Sequence, residues 1–84
     1  IYHNAVYEIE MPKAAKILSV QEQGGFPVIW ALVNPKKEKR KYVFQVFGTG
    51  FELTDYDKKH YDYVGTVQQK GLTTLVWHVF EVHE

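Results

Sequence analysis

The stretch that decides the fold runs from Val43 to Phe51 and reads VFQVFGTGF. It begins with aromatic and β-branched residues, which favour strands, and it stops at a Gly-Thr-Gly turn. One set of alternate residues here is apolar and the other set contains both polar and apolar residues, so we predict a central strand from Lys41 to Phe47. Its core face consists of Tyr42, Phe44 and Val46.

Composition predicts one small folded domain, residues 1–84. A chain of 84 residues can bury only a modest core, and a hydrophobic content of 45% argues against disorder. The formal net charge is zero and cysteine is absent, so we expect neither strong attraction to nucleic acid nor a disulfide framework. No apolar run is long enough to cross a bilayer, and no signal-peptide pattern opens the chain. Because Ile1 is not a methionine, we expect further residues before it.

Alternation and turn residues predict an all-β fold of about six mainly antiparallel strands. The firmest local prediction is a hairpin at Gly24-Gly25, because glycine accepts the positive φ of primed turns. Gly65 lies inside a predicted strand, which indicates a bulge or a close backbone approach. We expect sequential hairpins to form a meander that curls into a compact barrel or sandwich. The predicted strands are residues 5–11, 17–23, 26–33, 41–47, 61–69 and 72–82.

The strand from Phe26 to Val33 is apolar on both faces. A two-layer domain of this size covers such a strand on one face, so the second face needs a barrel neighbour or another copy of the chain. We therefore expect a homo-oligomer.

Residues that could support catalysis or metal binding do not converge. Ser19 is the only serine and has no nucleophile-elbow motif around it. His78 points away from Glu81 and His83, because neighbouring strand residues face opposite sides. We predict no enzyme activity, no metal site and no cofactor.

The predicted contact site is centred on Gly48-Thr49-Gly50, where backbone amides can hold an anion. A tight turn that simply ends the strand is the structural alternative. Lys39 and Arg40 could bind phosphate, although a solvated loop is the simpler explanation of the charge run from Lys36 to Lys41. Further candidates, which core packing could also explain, are the aromatic residues Trp30, Phe51 and Tyr63, which could stack on a base, and His78.

The chain resembles an uncharacterised family of small domains encoded mostly by bacteriophages and prophages. The resemblance covers nearly the whole chain through five segments: Pro12 with residues 15–21, then residues 30–35, 46–50, 63–68 and 76–81. It implies a phage protein in the bacterial cytoplasm and transfers no activity. Ala14 stands where relatives often have glycine, and Phe51 stands where a histidine is common.

From these observations we predict that the chain is a non-catalytic binding protein that acts on host defence or host physiology. It would either sequester a nucleotide-derived signal or occupy a host protein. The second possibility requires an exposed aromatic patch and no enclosed polar pocket. The alternatives are a structural or assembly protein of the phage particle and a small barrel that binds single-stranded nucleic acid.

Overall fold

Six strands form the part of the chain that the structure, a computed structural model, describes: residues 4–48, 60–71 and 74–83. All neighbouring strands are antiparallel, and these residues contain no helix. The predicted all-β class is therefore confirmed. The strands are β1 (Asn4–Pro12), β2 (Lys16–Gln23), β3 (Phe26–Leu32), β4 (Lys39–Gly48), β5 (His60–Gln69) and β6 (Leu75–His83).

The strands form a sandwich-like pair of sheets and not a closed barrel. One sheet has four strands in the order β1-β4-β6-β5, and the other is the hairpin β2-β3. This order differs from the predicted meander, because β4 lies between β1 and β6 and does not pair with β5. In a meander β4 would pair with β3 and β5, but here β2 and β3 form a sheet of their own, and β4 pairs with β1 and β6 instead.

The core lies between the two sheets. Tyr42 and Phe44 of β4 are among its most deeply buried side chains, and Val46 and Val79 lie beside them. The β2-β3 hairpin covers this face through Val20. The predicted core face of β4 is therefore confirmed.

The predicted Gly24-Gly25 hairpin is also confirmed. Gly24 has φ 60° and Gly25 has φ 86°, which are the positive values that a type I′ turn requires. The carboxylate of Glu22 accepts a hydrogen bond from the Gly25 amide. The turn places Gln23 opposite Phe26 and sets the register of β2 against β3.

Gly65 produces both features predicted for it. The register of β5 against β6 shifts between Tyr63 and Gly65, so Val64 is the extra residue of a bulge. A Cβ atom on Gly65 would lie 2.8 Å from Cγ1 of Val20. The missing side chain therefore lets β2 cross β5 at close range.

The connection between β1 and β2 is held by the Tyr42 hydroxyl. This buried group donates to the carbonyl of Pro12 (2.7 Å) and accepts from the amide of Ala15 (3.1 Å). Between those two residues, Ala14 has φ 60°, a left-handed conformation that favours glycine. A glycine at this position would suit that backbone.

We expect Gly65→Ala to lower the free energy of unfolding by roughly 1–3 kcal/mol, because the new methyl group overlaps a stiff β-branched side chain. Urea unfolding measures this change. In a Val20→Ala background the same substitution should cost clearly less, since the overlapping methyl group is gone. An equal cost in both backgrounds would show that the Gly65–Val20 contact is not the cause.

We expect Ala14→Gly to raise the free energy of unfolding by about 0.5–1 kcal/mol. Relief of the left-handed alanine (about 1–2 kcal/mol) exceeds the extra chain entropy that glycine loses on folding. The matched control is Ala15→Gly, where φ is not positive and stability should fall. Thermal or urea unfolding of both variants tests the opposite signs, and a loss of stability in Ala14→Gly would contradict the backbone explanation.

Candidate functional site

An apolar cleft opens between β1 and β3, which are the strands at the ends of the two sheets. We call it the β1–β3 cleft. Its volume is about 240 Å³, which is below the roughly 300–1,000 Å³ of typical small-molecule sites. Phe26 is 70% exposed at its rim, and Tyr7 lies across from it and is also exposed. The lining residues are Tyr7, Glu8, Ile9, Phe26, Pro27, Ile29, Phe44, Val46 and Val79.

The cleft continues into a second lobe of about 310 Å³, which shares Tyr7, Phe26, Pro27 and Val46 with the first. One polar pair lies in this lobe, where Nε1 of Trp77 donates to Oε1 of Gln69 at 3.0 Å. The remaining lining is mostly apolar, and Glu8 borders the cleft from a β1 position whose side chain points to the opposite face of the sheet. Such a lining suits apolar side chains and opposes a phosphate group.

The outer face of the β2-β3 hairpin carries a second apolar surface, which we call the β3 stripe: Phe26, Val28, Trp30 and Leu32. Pairing places these residues on the same face as Ser19, Gln21 and Gln23 of β2. Trp30 is 52% exposed and Leu32 is 65% exposed. We predicted that both faces of the strand that is now β3 would be buried. The described residues of one chain pack only on its inner face.

The structure separates the predicted phosphate ligands. Lys39 and Arg40 begin β4, opposite Pro12 and Met11, whereas Gly48 ends the same strand. At about 3.3 Å per residue, roughly 25–30 Å separate the two ends. One nucleotide cannot contact both. Three other predicted residues, Thr49, Gly50 and Phe51, lie outside the described residues.

Arg40 is engaged within its own sheet. Its guanidinium carbon lies 3.6 Å from the ring centroid of Tyr42, and Nη1 donates to the carbonyl of Lys41 at 3.0 Å. Gly48 is buried and pairs with Trp77 on β6. Arg40 and Gly48 therefore both make contacts within the four-stranded sheet.

Tyr63 and His78 do come together, through a residue that the sequence reasoning did not single out. Oγ1 of Thr66 contacts the Tyr63 hydroxyl and lies 3.0 Å from Nδ1 of His78. The Tyr63 ring, which is 60% exposed, packs edge-to-face on Phe80 with a centroid distance of 5.5 Å. These residues lie on the sheet face opposite the β2-β3 hairpin, so Trp30 does not join them.

At the end of the β5-β6 hairpin where β5 begins, the His83 ring lies near two carboxylates. Nε2 of His83 lies 2.8 Å from Asp62 and 3.7 Å from Glu81. As alternation predicted, Glu81 and His83 share a face that His78 does not. No group of three or more potential metal ligands converges within residues 4–48, 60–71 and 74–83.

The residues that line the cleft were missed as site candidates because their sequence pattern also fits ordinary core packing. Tyr7 and Ile9 alternate like any half-buried strand, and Phe26 follows the turn like any hairpin residue. Their exposure depends on which strands end the sheets. An aromatic residue and a proline directly after a Gly-Gly turn were the one available signal.

A family model described as "Domain of unknown function (DUF7352)" matches residues 1–84. The chain therefore belongs to this family. Comparison with curated proteins and with solved structures found no match. In the part of the chain that the structure describes, no helix is long and apolar enough to span a membrane.

Proposed function

We propose that this protein is a non-catalytic binding protein that acts by occupying another protein. In the setting that the resemblance implies, it is a bacteriophage protein that acts in the cytoplasm of its host, on host defence or host physiology. The observation that carries the proposal is the open β1–β3 cleft, with the exposed rings of Phe26 and Tyr7 at its rim. Exposed aromatic residues beside an apolar cavity are typical of protein contacts.

The same observations favour a protein partner over a nucleotide-derived signal. The cleft is mostly apolar, whereas the basic residues Lys39 and Arg40 lie at the far end of β4 from Gly48. A sequestering site would need phosphate donors beside a stacking ring. Here the ring of Tyr63 has a histidine and a threonine near it.

A second proposal concerns self-association. We propose that the β3 stripe beyond Phe26, from Val28 to Leu32, packs against a second copy of the chain, because Trp30 and Leu32 are large, apolar and more than half exposed. The polar residues of β2 beside the stripe would form the rim of that interface. The cleft then remains for the partner protein.

The partner is tested by photo-crosslinking. A benzoyl-phenylalanine at Phe26 should capture one protein of defined mass from host cells, and the same group at Tyr63, an equally exposed ring on another face, should not. Tyr7→Ser should abolish capture from the Phe26 position while leaving the melting temperature within a few degrees of the parent. Capture that is equal at both positions, or that survives Tyr7→Ser, would contradict a cleft-directed partner.

A nucleotide panel distinguishes the two binding hypotheses. We expect nucleotides and cyclic dinucleotides to leave the melting temperature unchanged. The assay would detect a specific ligand, because a ligand at 100 times its Kd adds about 2.7 kcal/mol to the stability of the folded state. Stabilisation by one compound, lost in Lys39→Ala/Arg40→Ala, would replace the protein-binding proposal with sequestration.

Self-association is tested by sedimentation over a range of concentrations. We expect the parent chain to form oligomers at micromolar concentration and Trp30→Ser/Leu32→Ser to be monomeric, because polar side chains remove the apolar contact. Tyr63→Ser is the matched control and should sediment like the parent. A monomeric parent, or oligomers that persist in the double variant, would contradict the role of the β3 stripe.

A further inference from the structure

The free edges of the two sheets differ in their ability to accept another strand. β5 pairs with β6 on one side, and the bulge at Val64 interrupts its other edge. β3 has a free edge, but Pro27 lies on it. Because Gln23 and Phe26 flank the two-residue turn as a hydrogen-bonded pair, the next pair, Glu22 and Pro27, directs its backbone groups outward. Proline has no N–H, so this edge lacks a donor beside the cleft.

β1 has none of these protections. It pairs with β4 on one side, and no described residue pairs with its other side, which we call the outer edge of β1. The strand has nine residues, and its one proline is the last of them, Pro12. A long, unbulged edge of this kind presents a row of backbone donors and acceptors to an added strand.

The side chains of β1 determine which strand would fit. Tyr7 and Ile9 point towards the cleft, whereas Glu8 and Glu10 point to the opposite face of the sheet, since strand residues alternate. Glu8 lies opposite Val43 of β4 and Glu10 lies opposite Lys41, but neither carboxylate forms an ion pair among the residues that the structure describes. A strand added to the outer edge of β1 would therefore meet apolar groups on one face and negative charge on the other.

We propose that the partner protein adds an extended segment to the outer edge of β1, and that this segment alternates apolar and basic side chains. This proposal rests on the protein-binding function proposed above and names the chemistry of the partner. Apolar side chains of the segment enter the β1–β3 cleft beside Tyr7 and Ile9. Lysine or arginine side chains lie opposite Glu8 and Glu10, where cross-strand pairs of opposite charge are favourable.

A second copy of β1 fits this edge less well. Symmetric antiparallel pairing centred on Glu8 places Glu8 opposite Glu8 of the other copy, and pairing centred on Ile9 places Glu8 opposite Glu10. Like charges directly opposite one another destabilise a strand pair. The charge pattern thus favours a basic segment and opposes the symmetric register that would pair all nine residues of β1.

The test uses blocked decapeptides and the full chain, followed by backbone amide NMR at low salt, where exposed charges are least screened. The first peptide alternates lysine and valine. The second alternates glutamate and valine. The third has the first sequence with alternate amides N-methylated, which removes its ladder donors while keeping its side chains. We expect the first peptide alone to bind, to shift the amide signals of β1 and to slow hydrogen exchange there.

Charge variants test the pairing with the carboxylates. Glu8→Gln/Glu10→Gln should weaken binding of the lysine-valine peptide about ten-fold, because each exposed pair contributes up to about five-fold in Kd. Both side chains are exposed, so folding should be unaffected. Asp62→Asn is the matched control on β5, at the other end of the sheet, and should change Kd less than two-fold.

Several results would overturn the proposal: equal binding of the N-methylated peptide, equal binding of the glutamate peptide, shifts confined to β3 or β5, or no binding of the first peptide. The two proposals fail separately. If crosslinking from Phe26 captures a partner equally well in the parent and in Glu8→Gln/Glu10→Gln, the cleft binds a protein but the added strand is wrong. If the lysine-valine peptide binds β1 while crosslinking captures nothing, the edge accepts strands but the protein-binding function is wrong.

Discussion

The arrangement of the two sheets depends on the close crossing of β2 over β5, where Val20 meets Gly65. A side chain at residue 65 would occupy the space of a Val20 methyl group, so the hairpin could not approach the sheet as it does. The bulge at Val64 contributes, because an extra residue bends the strand and increases its twist. This single contact brings Val20 into the core with Tyr42, Phe44 and Val79.

The same crossing explains why a cleft exists. The hairpin is anchored through β2 at one side of the four-stranded sheet, and β3 extends over the sheet towards β1 without pairing with it. Two sheet edges therefore face a common opening, and core residues such as Phe44 and Val46 form its floor. A pairing between β3 and β1 would join the two sheets at that edge and remove the opening. Pro27, which cannot donate a hydrogen bond, lies on the β3 side of that gap.

The cleft and the predicted ligand site differ in how distance along the sequence relates to distance in space. Gly48 and the basic residues Lys39 and Arg40 are near one another in sequence, but an extended strand separates residues by about 3.3 Å each. Arg40 then stacks on Tyr42 within the same strand. Tyr7 and Phe26, which are further apart in sequence, meet because their strands come from different sheets. For a small β domain, proximity in sequence is therefore a poor guide to a shared site.

By itself the sequence determined the class of fold, the six strands and the features that depend on neighbouring residues. Alternation identified the core face of Tyr42, Phe44 and Val46, and two glycines specified the hairpin turn, because side-chain period and backbone φ are local properties. The special role of Gly65 could also be predicted, although its partner Val20 could not. Only the tertiary structure decided the strand order, the exposure of the β3 stripe and the cleft between Tyr7 and Phe26. These features arise from contacts between residues far apart in the chain. A period-two pattern predicts which side chains of a strand share a face, but it does not predict which other strand packs on that face.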